Sequence, residues 1–206
     1  MPSGKFKLAV LVSGRGSNLQ AIIDSIEKNN LAAEISLILS NVPDAYGLQR
    51  GKKHGLESVF LNPKKFFSRN DYEKKMIELL QTKSVDLVCL AGFMRILGKK
   101  FIEAFSGKII NIHPSLLPAF PGLNVQEKAL EYGAKFSGCT VHFVNEKVDN
   151  GAIILQAIVP ILDEDDVQSL SDRILEQEHI IYPEAIRLII EDNLDFYPTK
   201  CQHKPS

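Results

Sequence analysis

An amide and an imidazole lie two residues apart near the middle of the chain, at Asn111 and His113. They follow the apolar pair Ile109-Ile110 and precede Pro114, which predicts a buried strand that ends in a proline-braced turn. Side chains two residues apart on a strand point to the same face, so both groups would enter one cleft. An amide donor beside a proton carrier suits a reaction in which a carbonyl oxygen becomes an oxyanion and protons move.

Each polar candidate near this strand also has a structural interpretation. A single histidine is more often a hydrogen-bonded structural residue. The pairing with Asn111 gives a catalytic role and a structural role of His113 equal weight. Asp149 lies in a turn-like stretch, where turn formation is its ordinary role. If that turn folds back to His113, its carboxylate would favour the imidazolium and orient a water. His142 either acts in the cleft directly or supports it from a buried strand.

A glycine-containing loop, residues 13–18 (SGRGSN), separates a predicted strand from a predicted helix. Glycines let the backbone approach a ligand closely, and a helix N-terminus supplies N–H donors, so phosphate is the natural ligand. The dinucleotide fingerprint GxGxxG fails because Leu19 stands at the third glycine position, and no Walker A lysine follows. A tight turn with Ser17 as the helix cap is the alternative interpretation.

Three further candidates have equally ordinary alternatives. The amphipathic segment Met94-Arg95-Ile96-Leu97 follows a predicted strand. It either lines the binding site of a flat aromatic ligand or takes part in ordinary packing within the protein. Arg69 either binds a carboxylate or is solvated at the start of a helix. Glu178 and His179 lie in the middle of a predicted helix, where a surface position is the default expectation.

The elements that must position these residues alternate between strand and helix over the first two-thirds of the chain. Apolar, β-branched-rich runs predict strands, and apolar residues at helical spacing predict helices. The predicted strands are residues 7–12, 35–39, 58–61, 85–91 and 108–112, and the predicted helices are residues 17–29, 44–54, 71–81 and 99–105. This order predicts a Rossmann-like α/β fold, with a mainly parallel sheet covered by helices on both faces. Ligands of such sheets bind beyond the carboxyl ends of the strands.

The pattern changes in the last third. Residues 139–144 and 152–159 are strand-like and are joined by a segment that ends in Asn150-Gly151, which predicts an antiparallel hairpin. Residues 165–190 predict a long helix that Pro183 kinks or splits. We expect a single domain over residues 1–206, with a core of about 5–192 and a polar tail at 193–206.

Composition narrows the class of protein. The formal net charge of −1 gives no reason to expect a nucleic-acid or membrane partner. The three cysteines are far apart and odd in number, which argues against a disulfide framework, and five scattered histidines give no metal site. No apolar run approaches the ~20 residues of a membrane span, and the N-terminal run is too short for a signal peptide. We therefore expect a soluble, cytoplasmic protein.

Together, five motifs in this order resemble the phosphoribosylglycinamide formyltransferase family, the folate-dependent enzymes of purine synthesis. The resemblance covers about residues 5–192, and the ordered set is more specific than any one motif. The motifs are residues 13–20 (SGRGSNLQ), 91–97 (AGFMRIL), 111–118 (NIHPSLLP), 141–149 (VHFVNEKVD) and 177–183 (QEHIIYP).

The resemblance implies a reaction and a set of roles. The amine of glycinamide ribonucleotide attacks the formyl carbon of 10-formyltetrahydrofolate, a tetrahedral intermediate forms, and the formyl group passes to the amine. Asn111 and His113 would stabilise the oxyanion, His113 would donate a proton, and Asp149 would support His113. The folate carries the chemistry, so no metal is required. The remaining implied contacts are Gly16, Ser17, Asn18 and Glu178 with the ribonucleotide, and Arg69, Met94, Arg95, Ile96, Leu97 and Asn111 with the folate.

Competing functions come from neighbouring and from different classes. A 10-formyltetrahydrofolate deformylase shares the Asn-x-His and Asp motifs but usually carries an N-terminal regulatory domain, for which this chain leaves no room. Methionyl-tRNA formyltransferase needs a C-terminal tRNA-binding domain and a basic surface. A non-catalytic folate- or nucleotide-binding module is opposed by the joint presence of Asn111, His113 and Asp149. We expect small-molecule partners, and the choice between monomer and homodimer stays open.

Overall fold

A computed structural model describes residues 5–191 and contains one seven-stranded sheet. The strands are β1 (Phe6–Val12), β2 (Ala33–Ser40), β3 (Ser58–Phe60), β4 (Leu87–Leu90), β5 (Ile109–His113), β6 (Phe136–Phe143) and β7 (Ile153–Pro160). The helices are α1 (Ser17–Glu27), α2 (Tyr46–Lys53), α3 (Arg69–Thr82), α4 (Lys99–Ala104), α5 (Val125–Tyr132) and α6 (Val167–Glu191), with a short 3-10 turn at Pro63–Lys65.

The order of the strands in space is β3-β2-β1-β4-β5-β6-β7. All pairs from β3 to β5 are parallel, whereas β6 runs antiparallel to β5, and β7 runs antiparallel to β6. The predicted fold class is therefore confirmed. The chain leaves β1 first towards β2 and later returns to β4 on the other side, so the order reverses between β1 and β4. Ligands of open α/β sheets bind at such a reversal, beyond the carboxyl ends of the strands.

Alternate residues of the central strands bury opposite faces of the sheet. Leu8, Val10 and Val12 of β1 pack into a core shared with residues of α1, α2 and α6. Ala9 and Leu11 point the other way, into a core built with α3 and α4. Burial on both faces explains why this strand is continuously apolar rather than alternating. The double-sided core holds the strand ends, and thus the candidate site residues, in fixed relative positions.

The long C-terminal helix differs from the prediction at its proline. α6 runs unbroken from Val167 to Glu191 and contains the buried Pro183, so a split, one of the two effects predicted for this proline, does not occur. The helix begins at Val167 rather than at the predicted residue 165, because the Asp166 side chain caps it. Asp166 Oδ1 accepts the Ser169 N–H at 2.7 Å. This side chain thus satisfies one of the N–H groups that every helix start leaves free.

One helix of the structure has no counterpart in the prediction. α5, Val125–Tyr132, begins after Asn124 and ends at Gly133, and both flanking residues adopt positive φ angles. A glycine in this conformation is a common end for a helix and is visible in the sequence. The segment is short, with Val125 and Ala129 as its buried residues, so its periodicity is weak. The predicted tail, residues 193–206, lies outside the described residues.

Candidate active site

Strand β5 brings Asn111 and His113 to the same face of the sheet, near its carboxyl end. In the antiparallel pairing with β6, Asn111 lies opposite His142 and His113 lies opposite Thr140. The His113 side chain is almost fully buried, while Asn111 is partly accessible. The alternation of side chains along β5, read from the sequence, thus corresponds to the observed geometry.

Hydrogen bonds determine which nitrogen of the His113 ring is bound to the protein. Nε2 lies 3.1 Å from the backbone carbonyl oxygen of Phe120. A carbonyl oxygen only accepts hydrogen bonds, so Nε2 must be the donor, and Nδ1 is left facing the cleft. The hydroxyl of the buried Ser115 lies 2.6 Å from the Ala119 carbonyl oxygen and 3.1 Å from that of Phe120, so its single proton is shared between them. A proton exchanged between His113 and a ligand therefore passes through Nδ1.

The carboxylate of Asp149 faces this Nδ1. Oδ2 of Asp149 lies 3.5 Å from His113 Nδ1, within ion-pair distance for a protonated ring but beyond an ordinary hydrogen bond. The same oxygen accepts the backbone N–H of Gly122 at 2.8 Å, and Asp149 itself has a φ of 50°. A positive φ is uncommon outside glycine, so the turn that carries Asp149 is tightly specified. The structure brings Asp149 and His113 together, and their catalytic roles stay predictions.

His142 orients Asn111 from the neighbouring strand. Nδ1 of His142 lies 2.8 Å from the carbonyl oxygen of Phe143 and therefore donates to it. Burial lowers the pKa of His142, which favours the neutral ring, and its Nε2 then accepts from Asn111 Nδ2 at 3.2 Å. One Nδ2 proton of Asn111 is thus committed, and the other has no partner within residues 5–191. Of the two roles open for His142, these contacts favour support of the cleft.

The glycine-containing loop, residues 13–18, depends on glycine at position 16. Gly16 has a φ of 65°, and a Cβ there would lie 2.6 Å from the Cα of Gly47 on α2. A side chain would be both strained and obstructed, which explains the glycine. Gly16 also occupies the N-cap of α1, so the alternative of Ser17 as the cap is wrong. The N–H groups of the first turn have no intrahelical partner, and this arrangement suits a phosphate.

Asn18 and Glu178 form a buried polar pair beside that loop. Asn18 Nδ2 donates to Glu178 Oε2 at 2.7 Å, although the two residues are 160 positions apart. Asn18 Oδ1 is buried and has no partner among the described residues. Burial raises the pKa of Glu178, and the hydrogen bond from Asn18 opposes this rise. The default expectation of a surface position for Glu178 is wrong, because its side chain is buried where α6 packs against α1.

The segment after β4, residues 94–97, offers an apolar surface next to the glycine-containing loop. Met94 and Ile96 are 68% and 66% exposed, whereas Leu97 is buried and anchors the segment. The backbone N–H of Met94 donates to Ser13 Oγ at 2.8 Å, which ties the segment to the loop after β1. Two exposed apolar side chains on an anchored backbone suit a flat ligand better than ordinary core packing.

Two arginines belong to this surface: Arg95 lies within the segment, and Arg69 contacts it from α3. Arg69 Nη2 donates to the Ile96 carbonyl oxygen at 2.5 Å, and its Nε donates to Glu73 Oε1 at 2.7 Å. The Arg69 side chain remains 48% exposed, so part of its guanidinium is open to a ligand. The Arg95 guanidinium lies 5.1 Å from the centroid of the Tyr72 ring, a cation–π distance. Both arginines are thus held by contacts within the protein, and Arg69 keeps part of its guanidinium exposed.

With this geometry established, comparison with known proteins identifies the family. The formyl transferase family matches residues 6–186, which is most of the chain. The chain belongs to this family. A phosphoribosylglycinamide formyltransferase of Haemophilus influenzae is 48% identical, with 96% of each chain covered. A solved glycinamide ribonucleotide transformylase 1 from Symbiobacterium toebii is 49% identical, with a TM-score of 0.90 over 91% of this chain and 89% of that one. The sequence-based recognition of phosphoribosylglycinamide formyltransferases is confirmed.

A longer relative shows the same region within a larger protein. The trifunctional purine biosynthetic protein adenosine-3 of Drosophila melanogaster is 50% identical over 89% of this chain. The chain spans only 14% of the length of that relative, so the similarity concerns one part of the trifunctional protein. The functions of the other parts do not extend to this chain.

Three contributors to the site were not assigned a role from the sequence. The Phe120 carbonyl has no sequence signal, because a backbone atom is placed by the fold and not by a residue type. Ser115 lies inside the recognised motif, yet its bond to that carbonyl depends on the turn. Glu73 was detectable in principle, because it follows Arg69 by four residues, the spacing at which helical charges pair.

Metal-ligand clusters and membrane-spanning helices are both missing from the described part of the chain. Within residues 5–191, no group of three or more His, Cys, Asp or Glu side chains is arranged to hold a metal ion. In the same residues, no helix combines the length and the apolar character needed to cross a membrane. The expectation that the reaction needs no metal stays a prediction.

Proposed function

We propose that this chain transfers the formyl group of 10-formyltetrahydrofolate to the amine of N1-(5-phospho-D-ribosyl)glycinamide in de novo purine biosynthesis. The observation that carries the proposal is the convergence of Asn111, His113 and Asp149 at one sheet end, with His113 Nδ1 and Asp149 Oδ2 3.5 Å apart. This catalytic cluster lies in a chain 48% identical to a full-length phosphoribosylglycinamide formyltransferase.

The two substrates fit the two sides of the sheet reversal. On the β1 side, Gly16, Ser17 and Asn18 begin α1 and hold one phosphate, while Glu178 contacts the ribose. A single phosphate requires fewer N–H donors than a pyrophosphate, which agrees with the incomplete dinucleotide fingerprint. On the β4 side, the exposed Met94 and Ile96 contact the folate ring system. The remaining predicted folate contacts are Arg69, Arg95, Leu97 and Asn111, with Arg69 bound to a folate carboxylate.

The residues of the catalytic cluster divide the chemistry. As the amine attacks, the formyl carbon gains a bond to nitrogen and loses its bond to the folate nitrogen, and one proton moves between the two nitrogens. The free Nδ2 proton of Asn111 and a proton on His113 Nδ1 stabilise the negative charge on the formyl oxygen. Nδ1 is the available nitrogen because Phe120 holds Nε2. Asp149 balances the charge of protonated His113 and supports the proton transfer.

A turnover assay with and without the ribonucleotide tests this function. We expect formation of tetrahydrofolate from 10-formyltetrahydrofolate only when glycinamide ribonucleotide is present, together with formylated product in equal amount. Equal turnover without the ribonucleotide would instead identify a hydrolase. Absence of turnover under both conditions, with retained folate binding, would identify a binding module. Cytoplasmic localisation and a single domain over residues 1–206 stay predictions.

A further inference from the structure

One face of α3 contacts the segment after β4 at three successive points. Arg69, Tyr72 and Glu73 are spaced three and four residues apart, so they lie on the same side of the helix. Each contacts a different part of residues 95–98. The contacts are Arg69 Nη2 to the Ile96 carbonyl at 2.5 Å, the Tyr72 ring to the Arg95 guanidinium at 5.1 Å, and Glu73 Oε1 to the Gly98 N–H at 2.9 Å.

Glu73 is the central member of these contacts. Its side chain is 5% exposed, and its Oε1 accepts both the Gly98 N–H and Arg69 Nε, at 2.9 and 2.7 Å. Its Oε2 is buried with no hydrogen-bond partner in the described part of the chain. A buried carboxylate is costly unless it is paired, so this position calls for a reason beyond helix stability.

The residue at position 98 is matched to this carboxylate. A Cβ added to Gly98 would lie 2.5 Å from Glu73 Oε2, closer than such atoms approach. Gly98 has a φ of −82°, so its backbone conformation does not itself require glycine. The narrow space beside the Glu73 carboxylate is what disfavours a side chain at position 98. Glu73 and Gly98 therefore form one packed unit, and a methyl group at position 98 would displace the carboxylate.

We propose that Glu73 is a positioning residue of the folate site, which fixes the Arg69 guanidinium and the Met94–Leu97 segment relative to each other. This inference rests on the proposed function, which assigns both groups to the folate. Glu73 Oε1 binds both Arg69 Nε and the N–H of Gly98, the residue after the segment. The guanidinium and the segment therefore move as a unit. Arg69 Nη1, which has no partner among residues 5–191, is then presented to a ligand carboxylate at a fixed distance from Met94 and Ile96.

The test compares Glu73→Ala and Glu73→Gln with the parent protein. Isothermal titration with tetrahydrofolate measures folate affinity without turnover, and steady-state assays measure kcat and both KM values. For Glu73→Ala we expect affinity for tetrahydrofolate to fall about 10-fold, because a charge-assisted hydrogen bond contributes roughly that much. Glu73→Gln should lose less, because its amide oxygen still accepts from Arg69 and Gly98. kcat and KM for the ribonucleotide should stay within about 2-fold.

A matched control lies on the same helix. Glu78 pairs with Lys75, and both side chains are about half exposed, so Glu78→Gln removes a carboxylate of α3 away from the segment. We expect its folate affinity to equal that of the parent. Gly98→Ala is an independent variant that keeps the carboxylate but displaces it, and it should weaken tetrahydrofolate binding in the same selective way. If Glu73→Ala does not fold, Gly98→Ala tests the proposed positioning role by itself.

Several outcomes would overturn the proposal. Parental tetrahydrofolate affinity in folded Glu73→Ala, or in Gly98→Ala, would remove Glu73 from the folate site. A fall in kcat and a rise in both KM values by similar factors, with a lowered melting midpoint, would show that Glu73 acts in fold stability alone. If the parent binds tetrahydrofolate but transfers no formyl group, the proposed function fails while the positioning role is still measured by titration. If the parent does not bind tetrahydrofolate, both fail.

Discussion

Two polar pairs of the site, each built from distant parts of the chain, differ in how completely they are formed. Asn18 and Glu178 make a buried hydrogen bond of 2.7 Å, and both belong to helices. His113 and Asp149 lie 3.5 Å apart without a hydrogen bond, and Asp149 lies in a turn after β6. The hydrogen bond of the first pair is complete without a ligand. In the second pair, Nδ1 of His113 makes no hydrogen bond within the described residues.

The difference matches the proposed roles of the two pairs. A pair that binds an unchanging part of the ribonucleotide can be rigid from the start, because nothing in it must change during the reaction. A pair that moves a proton must keep one nitrogen free for the reacting atoms. Under the proposed function, the helices would carry recognition, and the junction of a strand with a turn would carry chemistry. Four substitutions test this contrast, in decreasing order of expected effect.

His113→Ala should have the largest effect. It removes both a donor to the formyl oxygen and the proton carrier, so we expect kcat to fall roughly 1,000-fold. Steady-state kinetics measure the loss, and circular dichroism melting checks that the variant folds. Near-normal turnover in a folded protein would remove His113 from the mechanism and leave its pair with Asp149 structural.

Asp149→Asn should have the next largest effect. The amide oxygen can still accept the Gly122 N–H, so the turn is preserved while the negative charge beside His113 is lost. We expect kcat to fall roughly 100-fold, at the lower end of what acid–base groups contribute, with little change in either KM. If kcat is retained while KM for folate rises, Asp149 shapes the folate loop rather than the proton transfer.

Glu178→Gln tests the Asn18–Glu178 pair, because it should weaken ribonucleotide binding and raise the free energy of unfolding. We expect KM for the ribonucleotide to rise about 10-fold, since a hydrogen bond to a charged group contributes about 1.5–3 kcal/mol. The free energy of unfolding at neutral pH should rise by about 1 kcal/mol, because the glutamine amide can also donate to the unpaired Asn18 Oδ1.

The pH dependence of that stability has a defined sign. Burial raises the pKa of Glu178, so the folded protein holds a proton that the unfolded chain has already lost. The stability of the parent therefore falls as pH rises from the ordinary glutamate pKa to the raised one, while the variant lacks this loss. The gap between the two should widen over that interval in denaturant titrations at several pH values. The exposed Glu176→Gln is the control, and an identical gap there would refute the assignment.

Lys99→Ala should have the smallest effect. Lys99 Nζ lies 3.7 Å from Glu146 Oε1 on the turn that carries Asp149, but the two side chains are 67% and 57% exposed. Exposed ion pairs contribute about 0–1 kcal/mol and are screened by salt. We expect KM for folate to change less than about 2-fold, and the change to disappear at high ionic strength. A 10-fold change would mean that this pair orders the turn.

Much of the site was accessible from the sequence because it depends on local periodicity. The two-residue spacing on β5 placed Asn111 and His113 on one face, and the glycine-containing loop marked the start of α1, where a phosphate site is predicted. The tautomer of His113 was not accessible, because it depends on the Phe120 carbonyl, which a turn brings to Nε2. The orientation of Asn111 was likewise settled by His142 on the neighbouring strand.

The sequence by itself determined the order of the seven strands and of every α-helix except α5, the parallel sheet with its antiparallel hairpin, and the family to which the chain belongs. These follow from hydrophobic periodicity and from short motifs, both of which act between residues close together in the chain. Only the tertiary structure decided that Glu178 is buried against Asn18, that Asp149 reaches His113, and that Glu73 links Arg69 to Gly98. The physical reason is that burial and charge pairing across α6, the β6–β7 turn and α3 depend on which surfaces the packed sheet brings together.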